Sequence, residues 1–118
     1  MMKTEKINKP WGHELIWAKT DRYVGKILFI NKGHRLSFQY HEKKEETIRL
    51  NKGLMELEVE SKGSTEGRQK IILKPGDTFH IPPYCKHRMS ASEDCEVLEV
   101  STPELDDVIR LEDDYKRS

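Results

Sequence analysis

The chain has almost no sulfur with which to cross-link itself: Cys85 and Cys95 are the only cysteines in its 118 residues. Two thiols are too few for a disulfide scaffold, so a hydrophobic core must hold the fold. Net charge is also missing, with 21 basic side chains against 21 acidic ones. That balance excludes nucleic-acid binding by bulk electrostatics. No apolar run approaches the roughly 20 residues of a membrane-spanning helix. The opening residues, MMKTEKINKPWG, lack the apolar centre of an export signal. A reduced, cytoplasmic protein is expected from these absences, with no membrane or nucleic-acid partner. Internal repeats, low-complexity blocks and any sustained helical period are absent as well.

What the chain does contain is short stretches suited to strands, separated by turn signals. Residues 23–30 are rich in strand-favouring residues. Residues 35–41 and 54–60 alternate, and 46–50, 69–73, 78–81 and 95–101 are further short strands. Asn51-Lys52-Gly53 and Lys74-Pro75-Gly76-Asp77 are turns, SKGSTEGR (61–68) is a polar loop, and Pro82-Pro83 ends a strand. Residues 108–111 make a last edge strand. Together these predict one all-β domain over residues 1–118, an antiparallel sandwich or barrel of six to ten strands with little helix. Residues 1–20 are expected to form an N-terminal arm and 102–118 a C-terminal tail.

Gln39 and His41 lie two apart on one predicted strand, so their side chains share a face and can reach one ion. Glu46 follows five residues later, and His87 stands near the end of GDTFHIPPYCKHR. Two imidazoles, a carboxylate and an amide oxygen suit zinc, manganese, iron, nickel or cobalt. If Gln39 and His41 point inward, strict alternation turns Leu36, Phe38 and Tyr40 outward. An outward apolar row needs cover, which predicts a homodimer.

These residues carry a resemblance to the cupin superfamily. Its first motif is G, five residues, H-x-H, three or four residues, E, six residues, G, matched by Gly33, Gln39-Tyr40-His41, Glu46 and Gly53 with Gln39 in place of the first His. Its second is G, five residues, P-x-G, two residues, H, matched by Gly76, Pro82-Pro83-Tyr84 and His87 with Tyr84 in place of Gly. Glu46, rather than Glu45, leaves the six residues before Gly53. KPWG (9–12), LSFQYH (36–41), IPP (81–83) and VIRLEDDY (108–115) further resemble the cupin domain of type II mannose-6-phosphate isomerases. In that family the domain is usually the C-terminal part of a bifunctional mannose-1-phosphate guanylyltransferase, and this chain has no room for the transferase.

The resemblance implies a single-domain jelly-roll barrel with one divalent ion, zinc being the commonest suggestion, held by Gln39, His41, Glu46 and His87. It also implies aldose–ketose isomerisation of a sugar phosphate through proton transfer between adjacent carbons. The base is not identified. Glu45, His80 and a metal-bound water are candidates, and Arg35, Arg88 and Arg110 are candidate phosphate anchors. Tyr84 at a glycine position is expected to narrow the site's mouth. Arg49 is expected to face outward and to touch a subunit contact. Trp11 is expected to pack the arm onto the barrel, and both cysteines are read as structural. A non-catalytic metal- and sugar-binding cupin stands beside the isomerase, and a metal-dependent dioxygenase is a lesser third reading.

Overall fold

In the computed structural model residues 3–117 are described, and they contain eleven β-strands and no helix. One sheet runs, in spatial order, β1 (Glu5–Lys9), β2 (Gly12–Lys19), β3 (Val24–Ile30), β10 (Cys95–Ser101), β5 (Glu46–Lys52) and β8 (Thr78–Ile81). The other runs β11 (Ile109–Glu112), β4 (Phe38–Tyr40), β9 (Lys86–Ala91), β6 (Met55–Glu60) and β7 (Gln69–Leu73). Every pairing between strands is antiparallel. Two antiparallel sheets enclosing one core make a jelly roll. The strand count exceeds the expected six to ten because the segment read as an arm folds as the hairpin β1–β2 and because residues 86–91 form β9.

The core follows from period-two burial. In β5, Glu46, Ile48 and Leu50 are buried while Thr47 and Arg49 are not, so Arg49 faces out as alternation requires. Leu28, Ile30, Ile48, Leu50, Leu57, Ile81 and Val97 interdigitate between the sheets, and Trp11 is buried with them. The turn after β5 depends on Gly53, whose φ is +101°. A β-carbon there would stand 2.3 Å from the Asp94 carbonyl oxygen, which no side chain tolerates.

The strict alternation expected of residues 35–41 is broken. Arg35 bridges Ser90 and Gln39 pairs with His87, so four steps on one strand face three on the other. One extra residue is a β-bulge, and it resets which face each side chain takes. Leu36 therefore lines the interior cavity together with Gln39 and His41. Phe38 is buried beneath the Arg68 guanidinium, 3.7 Å from its ring centroid, and Tyr40 stacks on Tyr84. No uncovered apolar row is left on this strand, so the reason given for a dimer does not hold here.

Candidate metal centre

The site lies between the sheets. His41 leaves the end of β4, and Glu46 opens β5 on the facing sheet. His87 sits in β9 directly opposite Gln39, and Gln39 is opposite Arg110 of β11. Side chains opposite one another in neighbouring strands share a face, so His87, Gln39 and Arg110 form one inward row. Ligand atoms of His41, Glu46 and His87 all fall within 4.8 Å of one another. All three residues are buried.

The hydrogen bonds behind this cluster fix its chemistry. His41 Nδ1 lies 2.5 Å from the Asp107 carbonyl oxygen, and His87 Nδ1 lies 2.9 Å from that of Cys85. A carbonyl only accepts, so each Nδ1 must carry the proton and donate it. In a neutral ring that leaves Nε2 as a lone pair. The two Nε2 atoms approach Glu46 Oε1 at 3.4 and 3.1 Å. None of these three atoms has an aligned hydrogen-bond partner. Three buried acceptors thus converge with no donor among them, which is unfavourable unless a cation or added protons lie between them. The donor set therefore fits a divalent metal ion, with the backbone carbonyls orienting both imidazoles.

The other oxygen of Glu46 is engaged. Lys44 Nζ is 3.3 Å from Glu46 Oε2 and 3.3 Å from Glu99 Oε2. Lys26 Nζ continues the row, 3.6 Å from Glu99 and 3.4 Å from Glu14. Burial alone would raise the Glu46 carboxyl; when the His41 and His87 rings carry a proton on Nε2 their hydrogen bonds, together with the Lys44 ammonium, outweigh it and hold the group well below the usual carboxylate range. Burial pushes the Glu99 carboxyl up, and the Glu46 charge adds to that, partly offset by Lys44 and Lys26. Lys44 is held above its ordinary value because Glu99 and Glu46 outweigh the cost of burial. The Asp107 carboxylate anchors the loop that carries Lys44 by accepting backbone N–H bonds from Glu42, Lys43 and Lys44 at 3.1, 2.7 and 2.9 Å.

Above the cluster opens a cavity of about 260 Å³, lined among others by Gln39, His41, Glu46, Lys44, Glu14 and Arg110. Gln39 reaches it, with its Oε1 accepting a 2.6 Å bond from Ser37. The remaining candidates lie elsewhere. Glu45 and His80 pair with each other at 2.5 Å, both more than half exposed, and neither lines the cavity. The cause is again period two: Glu45 precedes Glu46, and His80 is opposite the outward Thr47. Arg88 is buried but bonds the Leu36 carbonyl at 3.0 Å and Glu112 at 3.4 Å, away from the cavity. Arg35 makes a two-toothed ion pair with Asp114 at 2.7 and 2.9 Å. Tyr84 does not narrow this mouth; it lines a different cleft. Both cysteines are free and buried.

Lys26, Lys44, Glu14, Glu99 and Asp107 escape the reading of the sequence given above. A signal for two of them exists. Val24, Lys26, Leu28 and Ile30 share one face of β3, and Cys95, Val97, Glu99 and Ser101 share one face of β10. A lysine and a glutamate each interrupt an apolar face, and the register sets them opposite one another.

Fold and site together define a jelly roll with a histidine–carboxylate centre between its sheets. The cupin domain profile matches residues 27–101, and the chain belongs to the cupin family. Among solved structures it is similar to KdgF from a Halomonas species, at 23% identity and a TM-score of 0.72 over 89% of this chain and 91% of that one. CapF from Staphylococcus aureus matches at 15% identity and 0.74 over 95% of this chain and 35% of that one. A Bacillus subtilis oxalate decarboxylase, described for its Mn(II) centres, matches at 15% identity and 0.74 over 92% and 30%. The chain thus spans about a third of the CapF and decarboxylase chains. No curated protein matches the sequence. Likeness at these identities carries the fold, and the narrower resemblance to the mannose-6-phosphate isomerase cupin rests on the sequence motifs alone. Among the described residues no helix is long and apolar enough to cross a membrane.

Proposed function

We propose that the protein is a metal-dependent cupin that binds a small, oxygen-rich ligand of the sugar or sugar-phosphate class beside its metal centre. One observation carries the reading: three buried acceptor atoms without donors converge beside a cavity lined by both basic and acidic side chains. His41, Glu46 and His87 would hold the ion, with Gln39 as a fourth, weaker ligand. When bound, a divalent ion supplies Lewis acidity to ligand oxygens. Lys44 balances Glu46 and turns only one of its oxygens to the centre. Arg110 lies in the same inward row as Gln39 and supports the anchoring of an anionic group. The cavity is small beside ordinary ligand pockets of about 300–1,000 Å³, which favours a single sugar unit over a chain.

Aldose–ketose isomerisation is the catalytic form of this reading, and mannose-6-phosphate with fructose-6-phosphate is the pair to test. The Glu14 and Asp106 carboxylates line the cavity, which supports them as candidates to move the proton, whereas Glu45 and His80 do not line it. The metal-replete protein, its ion identified by elemental analysis, is expected to interconvert the pair and to exchange solvent deuterium into carbon two. Arg110→Ala should mainly raise KM, because it removes binding common to ground and transition states. Neither turnover nor exchange would leave the non-catalytic sugar-binding cupin, which then requires a measurable affinity for the same sugars. Oxygen uptake by the iron-loaded protein would point instead to the dioxygenase.

The homodimer belongs to this proposal on a different face. On the outer side of the first sheet Leu15 and Leu98 flank Ile27, and Trp17 lies over Gly25 beside Val100. Trp17 and Val100 are 52% and 54% exposed, so this apolar face is uncovered in the single chain. Trp17→Glu is expected to shift a dimer toward monomer in sedimentation at micromolar concentration. A parent protein that is monomeric there removes the dimer from the proposal.

A further inference from the structure

Tyr84 and Lys116 are the non-glycine residues with positive φ among those described, at +66° and +55°. For a bulky residue this backbone costs on the order of 1–2 kcal/mol. The turn itself has a reason to be left-handed. Tyr84 N–H donates to the His41 carbonyl at 2.7 Å, and the next residue, Cys85, supplies the carbonyl that orients His87. Glycine or asparagine would make that turn with less strain. The tyrosine ring therefore needs a separate explanation, and burial does not supply it, since the residue is 39% exposed.

The ring faces a second cleft, of about 380 Å³, on the outside of the second sheet. Tyr40 stacks against Tyr84 with centroids 5.9 Å apart and planes 26° from parallel. Lys62, on the polar loop after β6, holds its Nζ 4.6 Å from the Tyr84 centroid. Lys86 Nζ lies 3.4 Å from Glu60, and Ser61 and Ser64 complete the lip. Two ammonium groups against one carboxylate leave the cleft with a charge of +1. Aromatic faces suit the C–H face of a sugar ring, hydroxyls suit its hydroxyls, and the surplus ammonium suits an anion. Lys62 now rests on the ring by cation–π attraction, worth only about 0.5–1 kcal/mol at an exposed site. It can exchange that contact for a ligand's charge.

We propose that this Tyr40–Tyr84 cleft is a second ligand site, taking a single sugar ring that carries a carboxylate or a phosphate, outside the barrel and independent of the metal centre. The proposal does not rest on what the inner cavity binds. The two sites lie on opposite faces of the sheet, Tyr40 and Lys86 alternating with Gln39 and His87 on β4 and β9, and the left-handed turn at Tyr84 adjoins both.

The test is amide chemical-shift mapping on the full chain, metal-loaded, with glucuronate, glucose-6-phosphate, glucose and inorganic phosphate. A shallow site with a Kd of about 1 mM would be nearly filled at about 10 mM ligand. The expected result is shifts at residues 61–64 and 84 with the two anionic sugars, at least severalfold weaker with glucose and with phosphate alone. His87→Ala should leave these shifts unchanged, which separates this site from the metal centre. Tyr84→Asn keeps a residue that tolerates the turn and should abolish them, while Tyr84→Phe keeps most of the affinity. The carboxylate and phosphate arms then tell which anion the cleft prefers. Shifts confined to the inner cavity, equal shifts with glucose or with phosphate alone, full binding by Tyr84→Asn, or no shifts at all would each overturn the proposal.

Discussion

His87→Ala is expected to strip the protein of its metal ion on dialysis, with affinity lowered by more than about a hundredfold. Removing a residue that only orients a metal ligand already costs about 10–100-fold, and His87 would be a ligand itself. The expectation follows from the two ends of each imidazole. Nδ1 of His41 and of His87 donates to a backbone carbonyl, so only Nε2 remains for the ion. His13→Ala is the control, because that ring stacks on Phe29 at 4.5 Å and does not line the cavity. Elemental analysis after dialysis reads the result directly. Thermal stability gives a second readout, because an ion present at about 100 times its Kd adds about 2.7 kcal/mol to the folded state.

The same geometry sets the sign of the pH dependence. Proton and ion compete for the same Nε2 lone pairs, so affinity should fall as the solution is acidified. Glu46 adds nothing to this fall near pH 6, because its carboxyl is held well below the usual range. Full stoichiometric metal in His87→Ala, or affinity that does not fall on acidification, would refute this ligand assignment.

Much of this arrangement is legible in the sequence for a physical reason. Turns and alternation are local, so residues 69–73, 78–81 and 95–101 are strands with the boundaries expected of them. The grouping of His41, Glu46 and His87 is legible because motif spacing encodes strand register. The missing parts depend on distant partners. Residues 12–19 carry apolar side chains on both faces, since Ile16 and Ala18 are buried while Leu15 and Trp17 face outward, so no period of two appears. The polar, highly charged β1 is a strand because β2 pairs with it. The segment 86–91, KHRMSA, has no β-branched residue, and its neighbours β4 and β6 make it a strand. The bulge before Gln39 appears only when its register is counted against β9. Glu45 and His80 look suitable for catalysis by type, yet period two alone turns them outward. Asp107 lies more than sixty residues from the loop it anchors, beyond the reach of any local pattern.

The second large effect is expected from Lys44→Met. The row Glu14–Lys26–Glu99–Lys44–Glu46 sets three carboxylates against two ammonium groups, a net charge of −1 before any ion is counted. The side chains of Lys44, Glu99 and Glu46 are 7%, 4% and 2% exposed, so water screens them little. Methionine matches the aliphatic stem but removes the charge between two buried carboxylates. Breaking a buried pair in this way typically costs about 3–5 kcal/mol, because the charge left behind is uncompensated. For a domain of this size the melting temperature should fall by roughly 10–20 °C. Two further results separate this electrostatic cause from simple loss of packing. Adding Glu99→Gln to Lys44→Met should recover part of the loss, with a coupling of about 1–3 kcal/mol in a double-mutant cycle. Added divalent metal should also recover part of it, because an ion at His41, Glu46 and His87 balances Glu46 from its other oxygen. If Lys44→Met unfolds within about 1 kcal/mol of the parent, the carboxylates do not depend on Lys44 for their charge balance, and the row is not what holds Glu46 in place.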